Sequence, residues 1–273
     1  MRMTGSGRVG WAAVPPAVRS GIEAALGAPV ETATSLSGGF SDGFAGRVHL
    51  ADGRDAFVKA SSETFAAGFH RTEAAIARRL PRSVPTPAFL GSYDDGEWVA
   101  AAFEFVDATI PEQPWRPADF ERVLDTVVAM SAALTPAPPD VPAVAAPRLD
   151  LPRPLGGNTL LHGDLYPFNV LVAPASVSIV DWPHAWIGPA YADALLLLSS
   201  ARLGGIDPQR CLDRHPLTRD ADPADVDTFL GAHARFHLRL AARATDPALS
   251  AMARSLGEAS RDWLLERSGP RKG

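Results

Sequence analysis

The second half of the chain contains the segments His162-Gly163-Asp164-Leu165-Tyr166-Pro167-Phe168-Asn169 and Ile179-Val180-Asp181-Trp182. Asn169 follows Asp164 by five positions, and Asp181 lies twelve positions further on. Short β-prone runs at residues 159–161, 170–172 and 176–181 flank these polar side chains. The pattern therefore places a carboxylate, an amide and a second carboxylate at the ends of short apolar segments.

Oxygen-bearing side chains at this spacing are typical of phosphoryl transfer from a nucleotide. A carboxylate can accept the proton of the attacking hydroxyl, while an amide oxygen and a second carboxylate can hold Mg²⁺ on the phosphates. The spacing is that of the protein-kinase catalytic loop, with Gly163 where that loop has arginine.

The two segments resemble the aminoglycoside phosphotransferase family, whose members share the kinase fold and phosphorylate small molecules. The resemblance covers about residues 32–200. It implies that Asp164 is the catalytic base, that Asn169 and Asp181 are catalytic residues that bind the metal, and that Asp193 is a structural acid. It also implies that His162 braces the loop rather than carrying a proton. The residues after Trp182 depart from the family pattern, because Pro183-His184 stands where an acidic or small residue is usual.

Lysine usage points to the nucleotide side of the same site. Of the 26 basic residues only two are lysine, Lys59 and Lys272, and Lys272 lies in the terminal tail. A compact ammonium suits a phosphate where a planar guanidinium would not fit. By the family resemblance, Lys59 contacts the α- and β-phosphates, and Glu73 on the following helix orients it.

Two further segments complete the predicted nucleotide site. The glycine-rich stretch at residues 38–43 would cover the phosphates, with Gly38, Gly39 and Ser41 as binding residues. By the same resemblance, residues 103–106 form the hinge between lobes. The adenine would then bond to the carbonyl of Glu104 and the amide of Val106. ATP or GTP and Mg²⁺ are the expected cofactors.

Hydrophobic periodicity and turn signals predict an α+β, two-lobed protein-kinase-like fold. A small, mainly β, five-stranded lobe is expected over residues 1–104 and a larger, mainly helical lobe over residues 105–273. Helices are predicted at residues 15–26, 68–80, 117–134, 191–203, 223–244 and 247–267. Strands are predicted at residues 32–36, 46–50, 55–60 and 98–106, in addition to the three β-prone runs named above. A hairpin turn is predicted at residues 51–54.

Composition excludes several other classes of protein. The net charge of −5 and the absence of a basic run before residue 267 argue against a nucleic-acid partner. Apolar runs such as residues 194–198 are too short to cross a membrane. A single cysteine, Cys211, excludes an internal disulfide and multi-cysteine metal sites. With no secretion signal in the first 30 residues, we expect a cytoplasmic protein that acts on a small-molecule hydroxyl.

Three alternatives stay open at this point. Gly39-Phe40-Ser41-Asp42-Gly43 matches the nucleophile elbow of α/β-hydrolases, although a strand rather than a helix is predicted after it. A catalytically inactive nucleotide-binding module is the second. A protein kinase is the third, although the eleven residues between Asp181 and Asp193 leave little room for a peptide-docking segment.

The helical residues from 224 onward bear on the acceptor. They show no excess of acidic over basic side chains, and a polycationic aminoglycoside would need such an excess. We therefore expect an acceptor with little net positive charge. His233 and His237 lie one helical turn apart without the glutamate of a metalloprotease helix, so they are expected to serve packing or to lie at the surface.

Overall fold

The computed structural model describes residues 9–36, 43–142 and 148–269. Seven α-helices and nine strands lie in these ranges. The helices are α1 (Pro16–Leu26), α2 (Thr64–Ala77), α3 (Pro117–Ala133), α4 (Ala192–Ala201), α5 (Pro208–Leu212), α6 (Pro223–Arg243) and α7 (Pro247–Ser268). The strands are β1 (Val30–Ser35), β2 (Phe44–Leu50), β3 (Asp55–Ser61), β4 (Phe89–Asp94), β5 (Val99–Glu104), β6 (Thr159–Leu161), β7 (Val170–Val172), β8 (Val177–Ile179) and β9 (Trp186–Gly188).

The N-terminal part is an antiparallel sheet with strand order β1-β2-β3-β5-β4. Because side chains alternate across a strand, one face of β3 and β5 packs on α1 through Val58, Ala60 and their neighbours. The other face presents Ala101 and Phe103, which form a small core with Ala74 of α2. Lys59 pairs with Ala101 in the register and therefore lies on the α2 side.

The C-terminal part is mainly helical and encloses the larger core. Every residue of α4 is buried, as its nearly continuous apolar sequence requires. Helices α6 and α7 pack against each other, and each begins after an aspartate whose side chain accepts a hydrogen bond from the helix N-terminus. Two short antiparallel ribbons, β6-β9 and β7-β8, carry the loops that contain Asp164 and Asp181.

The predicted fold class is confirmed, with a five-stranded sheet followed by a mainly helical part. The structure also excludes the hydrolase alternative, because strand β2 rather than a helix follows Gly43. Among the described residues no helix is both long and apolar enough to span a bilayer.

Some element boundaries differ from the prediction, and strands β4 and β9 and helix α5 were not located from sequence. Helix α2 begins at Thr64 rather than at residue 68, because the Glu63 carboxylate accepts hydrogen bonds from the amides of Phe65 and Ala66. Gly68 therefore lies inside the helix and does not begin it.

Candidate active site

The loop at residues 162–169 connects β6 to β7 and is held by its own asparagine. Asn169 Nδ2 donates hydrogen bonds to the backbone oxygen of Asp164 at 2.8 Å and to Asp164 Oδ2 at 3.1 Å. The side-chain nitrogen of Asn169 thus fixes the position of the Asp164 carboxylate. Its side-chain oxygen is not used in these bonds, so it can serve as a ligand.

The start of the loop is braced from helix α4. The backbone amides of His162 and Gly163 donate to Asp193 Oδ2 and Oδ1 at 2.7 and 3.0 Å. His162 Nε2 lies 3.0 Å from the Val180 carbonyl and therefore donates to it, while its Nδ1 accepts from the Asp164 amide at 3.3 Å. His162 is fully buried, and these hydrogen bonds are the kind of contact that a bracing residue would make.

Gly163 explains why this loop departs from the protein-kinase pattern. Its φ of +77° is a conformation that L side chains rarely adopt. A Cβ atom there would also collide with the carbonyl oxygen of His184. The loop therefore passes directly against the Pro183-His184 segment, and an arginine at position 163 would not fit.

Lys59 and two carboxylates converge from three parts of the sequence. Lys59 Nζ lies 3.0 and 3.1 Å from the two carboxylate oxygens of Glu73 and 2.7 Å from Asp181 Oδ1. The Lys59 side chain is 14% exposed and that of Glu73 is 3% exposed, whereas the Asp181 side chain is 45% exposed. The buried Glu73 thus anchors the lysine, and Asp181 faces the open side of the site.

Burial and charge oppose each other in this triad. Burial disfavours the ammonium of Lys59, but the two carboxylates outweigh that cost and raise its pKa above the ordinary value. The partial burial of Asp181 acts to raise its pKa, yet the nearby Lys59 ammonium more than offsets this and leaves the pKa lowered. Burial dominates at Glu73 and raises its pKa. At neutral pH we therefore assign a charged Lys59 held by an ionised Asp181.

The metal-binding prediction can be tested against the donor set. Asp181 and Asn169 offer a carboxylate and an amide oxygen, which are the hard ligands that Mg²⁺ prefers. Within residues 9–36, 43–142 and 148–269, no group of three or more His, Cys, Asp or Glu residues is placed to hold a metal. Two protein oxygens fit an ion that keeps water and phosphate ligands. Asp181 has a φ of +72°, an uncommon conformation that aspartate tolerates better than most residues.

Asp164 lies next to an arginine that sequence analysis did not single out. Arg148 Nη1 is 3.6 Å from Asp164 Oδ1 and 3.1 Å from His184 Nε2. Burial raises the pKa of Asp164, and the charge of Arg148 offsets only part of that shift. Burial also lowers the pKa of His184 to about 4, so its neutral ring accepts from Arg148. No sequence motif marked Arg148, which lies 16 positions before Asp164.

A second unpredicted set lies beneath the loop. The Tyr166 hydroxyl is 2.7 Å from His233 Nε2 and 3.3 Å from His237 Nε2, and all three side chains are buried. Ser260 Oγ donates to the Leu256 carbonyl, so it accepts from His233 Nδ1 at 2.7 Å. The two histidines therefore pack, as predicted, but they also tie the catalytic loop to α6 and α7.

This network predicts sensitivity to acid. Burial lowers the pKa of His237 from 6.5 to about 4. Between these values the unfolded chain binds a proton that the folded chain does not, so the free energy of unfolding falls as pH decreases, by up to about 1.4 kcal/mol per pH unit. His237→Gln should reduce that dependence. Urea denaturation at several pH values from 6.5 to 4.5 measures it.

Comparing wild type with His237→Gln isolates the contribution of His237. Buried carboxylates such as Asp164 change the free energy of unfolding with pH in the opposite direction, but they do so equally in both proteins. His49→Gln is the matched control, since the His49 side chain is 43% exposed. If wild type and His237→Gln lose stability in parallel over this pH range, the buried neutral state of His237 is wrong.

The remaining predicted residues fall in two groups. Glu104 is exposed at the end of β5 and Val106 is half-buried just after it, at the junction between the sheet and the helical part. The Glu104 amide donates to the Ala88 carbonyl at 2.8 Å. Gly38, Gly39 and Ser41 lie outside the described residues.

Comparison with known proteins addresses the fold. No family model matches the sequence, and no curated protein matches it. Among solved structures, a thermostable mutant of aminoglycoside phosphotransferase APH(4)-Ia in ternary complex with ADP and hygromycin B matches with a TM-score of 0.60. The alignment covers 93% of this chain and 99% of that one, at 15% identity.

Two other antibiotic kinases match over similar lengths. Amicoumacin kinase hAmiN, in complex with AMP-PNP, Ca²⁺ and Ami, has a TM-score of 0.58 at 13% identity, covering 85% of this chain and 89% of that one. Spectinomycin phosphotransferase APH(9)-Ia, in complex with ADP and spectinomycin, has a TM-score of 0.53 at 11% identity, covering 89% and 93%. The chain has the fold of these small-molecule kinases. The resemblance inferred from residues 162–169 and 179–182 is thereby confirmed for the fold.

Proposed function

We propose that the protein is a small-molecule kinase that transfers the γ-phosphate of ATP or GTP to a hydroxyl group, with Mg²⁺ as cofactor. The observation that carries the proposal is the convergence of Lys59, Glu73 and Asp181 beside a fixed Asp164. Asp181 lies 122 positions after Lys59, so only the folding of the chain brings these two side chains into contact. The structural neighbours, crystallised with ADP or AMP-PNP, support nucleotide binding at such a site.

In the proposed reaction Asp164 accepts the proton of the acceptor hydroxyl. The acceptor oxygen forms a bond to the γ-phosphorus while the bond between that phosphorus and the β–γ bridging oxygen breaks, and the nucleoside diphosphate leaves. The raised pKa of Asp164 favours proton acceptance, because a base is most effective when its pKa is closer to the working pH. Lys59 would contact the α- and β-phosphates, with Glu73 holding its position.

The other residues of the site bind and orient. Asn169 and Asp181 would hold Mg²⁺, which supplies charge neutralisation on the phosphates when bound. Gly38, Gly39 and Ser41 would cover the phosphates, and Glu104 and Val106 would bind the adenine. We place the lobe boundary between residues 104 and 105, so that the nucleotide lies between the sheet and the helical part, and we propose a cytoplasmic protein.

The direct test measures nucleoside diphosphate formation and the mass of the phosphorylated acceptor, with ATP and GTP separately. The acceptor panel includes aminoglycosides, other antibiotics, amino sugars and small alcohols. Turnover that depends on both a nucleotide and a hydroxyl compound is expected. Tight nucleotide binding without phosphate transfer to any acceptor or to water would instead indicate an inactive nucleotide-binding module.

Metal dependence gives a separate prediction. Because Asn169 and Asp181 offer only hard oxygen ligands, activity should vanish in excess EDTA and return with Mg²⁺ or Mn²⁺. Steady-state rates before and after chelation measure this, with EDTA pre-saturated with Mg²⁺ as the control. Full phosphate transfer in excess chelator would show that the assigned ligands hold no essential metal.

A further inference from the structure

Arg148 lies beside Asp164, the proposed catalytic base. Its Nη1 atom is 3.6 Å from Asp164 Oδ1, and its guanidinium carbon is 5.5 Å from the centre of the Phe236 ring on α6. The bond to His184 Nε2 and the contact with Phe236 hold the guanidinium from two sides. The side chain is still 41% exposed, so part of its donor edge is open to a ligand.

Helix α6 brings two further arginines to this side of the site. Arg235 and Arg239 are exposed on the same helix as Phe236. Arg235 Nη2 donates to the Asp150 backbone oxygen at 3.3 Å, and Arg239 Nη1 is 3.6 Å from Asp150 Oδ2. Arg235 and Arg239 therefore share Asp150, while Arg148 faces the carboxylate of Asp164.

The other carboxylates described near Arg148 already face cations: Asp164 faces Arg148 itself, and Asp181 pairs with Lys59. Arg153 forms its own ion pair with Asp225, which neutralises both. His184 is neutral near pH 7 and only accepts from Arg148. A polycationic acceptor would thus bring its ammonium groups close to a fixed guanidinium, where like charges repel.

Distance decides which part of an acceptor Arg148 can bind. A reacting hydroxyl must lie within about 2.6–3.2 Å of the base. Since Arg148 Nη1 is 3.6 Å from the same carboxylate oxygen, a group on a carbon next to the hydroxyl falls within its reach. A guanidinium matches the geometry of carboxylate and phosphate oxygens, which it can bind through two parallel hydrogen bonds.

We propose that the acceptor carries an anionic group, a carboxylate or a phosphate, close to the reacting hydroxyl, and that Arg148 binds this group. The proposal rests on the proposed kinase function and names its substrate class. It makes Arg148 the residue that selects an anionic acceptor over a polycationic one.

The first experiment compares hydroxyl compounds that carry different charges. Gluconate and glucose 6-phosphate test the two anionic groups, glucose is the neutral reference, and glucosamine and kanamycin are the cations. Equilibrium binding to the nucleotide-loaded protein is measured by calorimetry, and kcat/KM is measured wherever turnover occurs. At least one anion should bind more tightly than the neutral and cationic compounds, and the carboxylate and phosphate arms show which group is preferred.

The second experiment assigns the selectivity to Arg148. Arg148→Gln should weaken binding of the preferred anion by about tenfold or more, measured as its Kd or as the acceptor KM. The nucleotide KM should stay near the wild-type value. Arg148→Lys should recover only part of the affinity, because an ammonium lacks the planar fork. Arg243→Gln removes an exposed cation at the end of α6 and should leave anion binding unchanged.

Hydrolysis of nucleotide by water shows whether Arg148 acts on the transferred phosphate instead. If Arg148→Gln lowers this acceptor-free rate as much as the rate with acceptor, the proposal is wrong. It is also wrong if no anion binds better than glucose, or if the highest kcat/KM belongs to kanamycin. Because binding is measured without turnover, an anion site with no phosphate transfer would contradict the proposed kinase function and leave the anion site standing.

Discussion

Asp164→Asn is expected to lower kcat by about 10²- to 10⁴-fold, the usual contribution of a positioned general base, with little change in nucleotide affinity. The amide cannot accept the acceptor proton. It can still accept the hydrogen bond that Asn169 Nδ2 donates to Asp164 Oδ2, so the loop should keep its geometry. The loss should therefore appear in kcat and not in stability.

Steady-state kinetics with the best acceptor measure this, together with nucleotide Kd by calorimetry and the midpoint of thermal unfolding. Asp220→Asn is the matched control, because it removes a carboxylate whose side chain is 84% exposed and remote from the catalytic loop in sequence. Wild-type turnover in a folded Asp164→Asn protein would remove Asp164 from the mechanism.

Lys59→Arg should lose most of the activity although the substitution preserves the positive charge. Three carboxylate oxygens surround Lys59 Nζ at 2.7 to 3.1 Å in a site where the side chain is 14% exposed. A wider, planar guanidinium must displace Glu73 or Asp181, and with it the position of the phosphates. We expect kcat/KM to fall by about 10²- to 10³-fold, as when a preorganised electrostatic contact to the reacting group is lost.

The control for this substitution is the reverse exchange at an exposed site, Arg116→Lys, where the arginine side chain is 66% exposed. Nucleotide affinity, kcat/KM and thermal unfolding are compared for the three proteins. A folded Lys59→Arg protein with unchanged kinetics would show that the site does not require a compact ammonium.

Several elements could be predicted because their signals are local. The runs at residues 159–161 and 170–172 form strands with those bounds, and the Asp-Pro pairs at 222–223 and 246–247 begin helices α6 and α7. The hairpin turn at residues 51–54 is present, with Gly53 at a φ of +84°. In each case the residues that specify the element lie within it or beside it.

Strand β4, which was not predicted, contains a glycine with a tertiary role. Glycine is common in turns, yet at Gly91 a Cβ atom would lie 2.8 Å from the Ala25 carbonyl oxygen of α1. The glycine therefore permits the close packing of helix on strand. No local pattern distinguishes this use of glycine from a turn, because the neighbour that requires it is remote in sequence.

The sequence by itself determined which residue types the candidate site offers: the spacing from Asp164 to Asp181, and the single lysine outside the tail. The tertiary structure alone decided which side chains meet. It brings Lys59 to Asp181, sets Arg148 beside Asp164, and joins Tyr166 to His233 across 67 positions. Spacing along a strand or loop fixes neighbours a few residues apart, whereas contacts between distant segments depend on how helices and sheet pack, which short-range patterns do not encode.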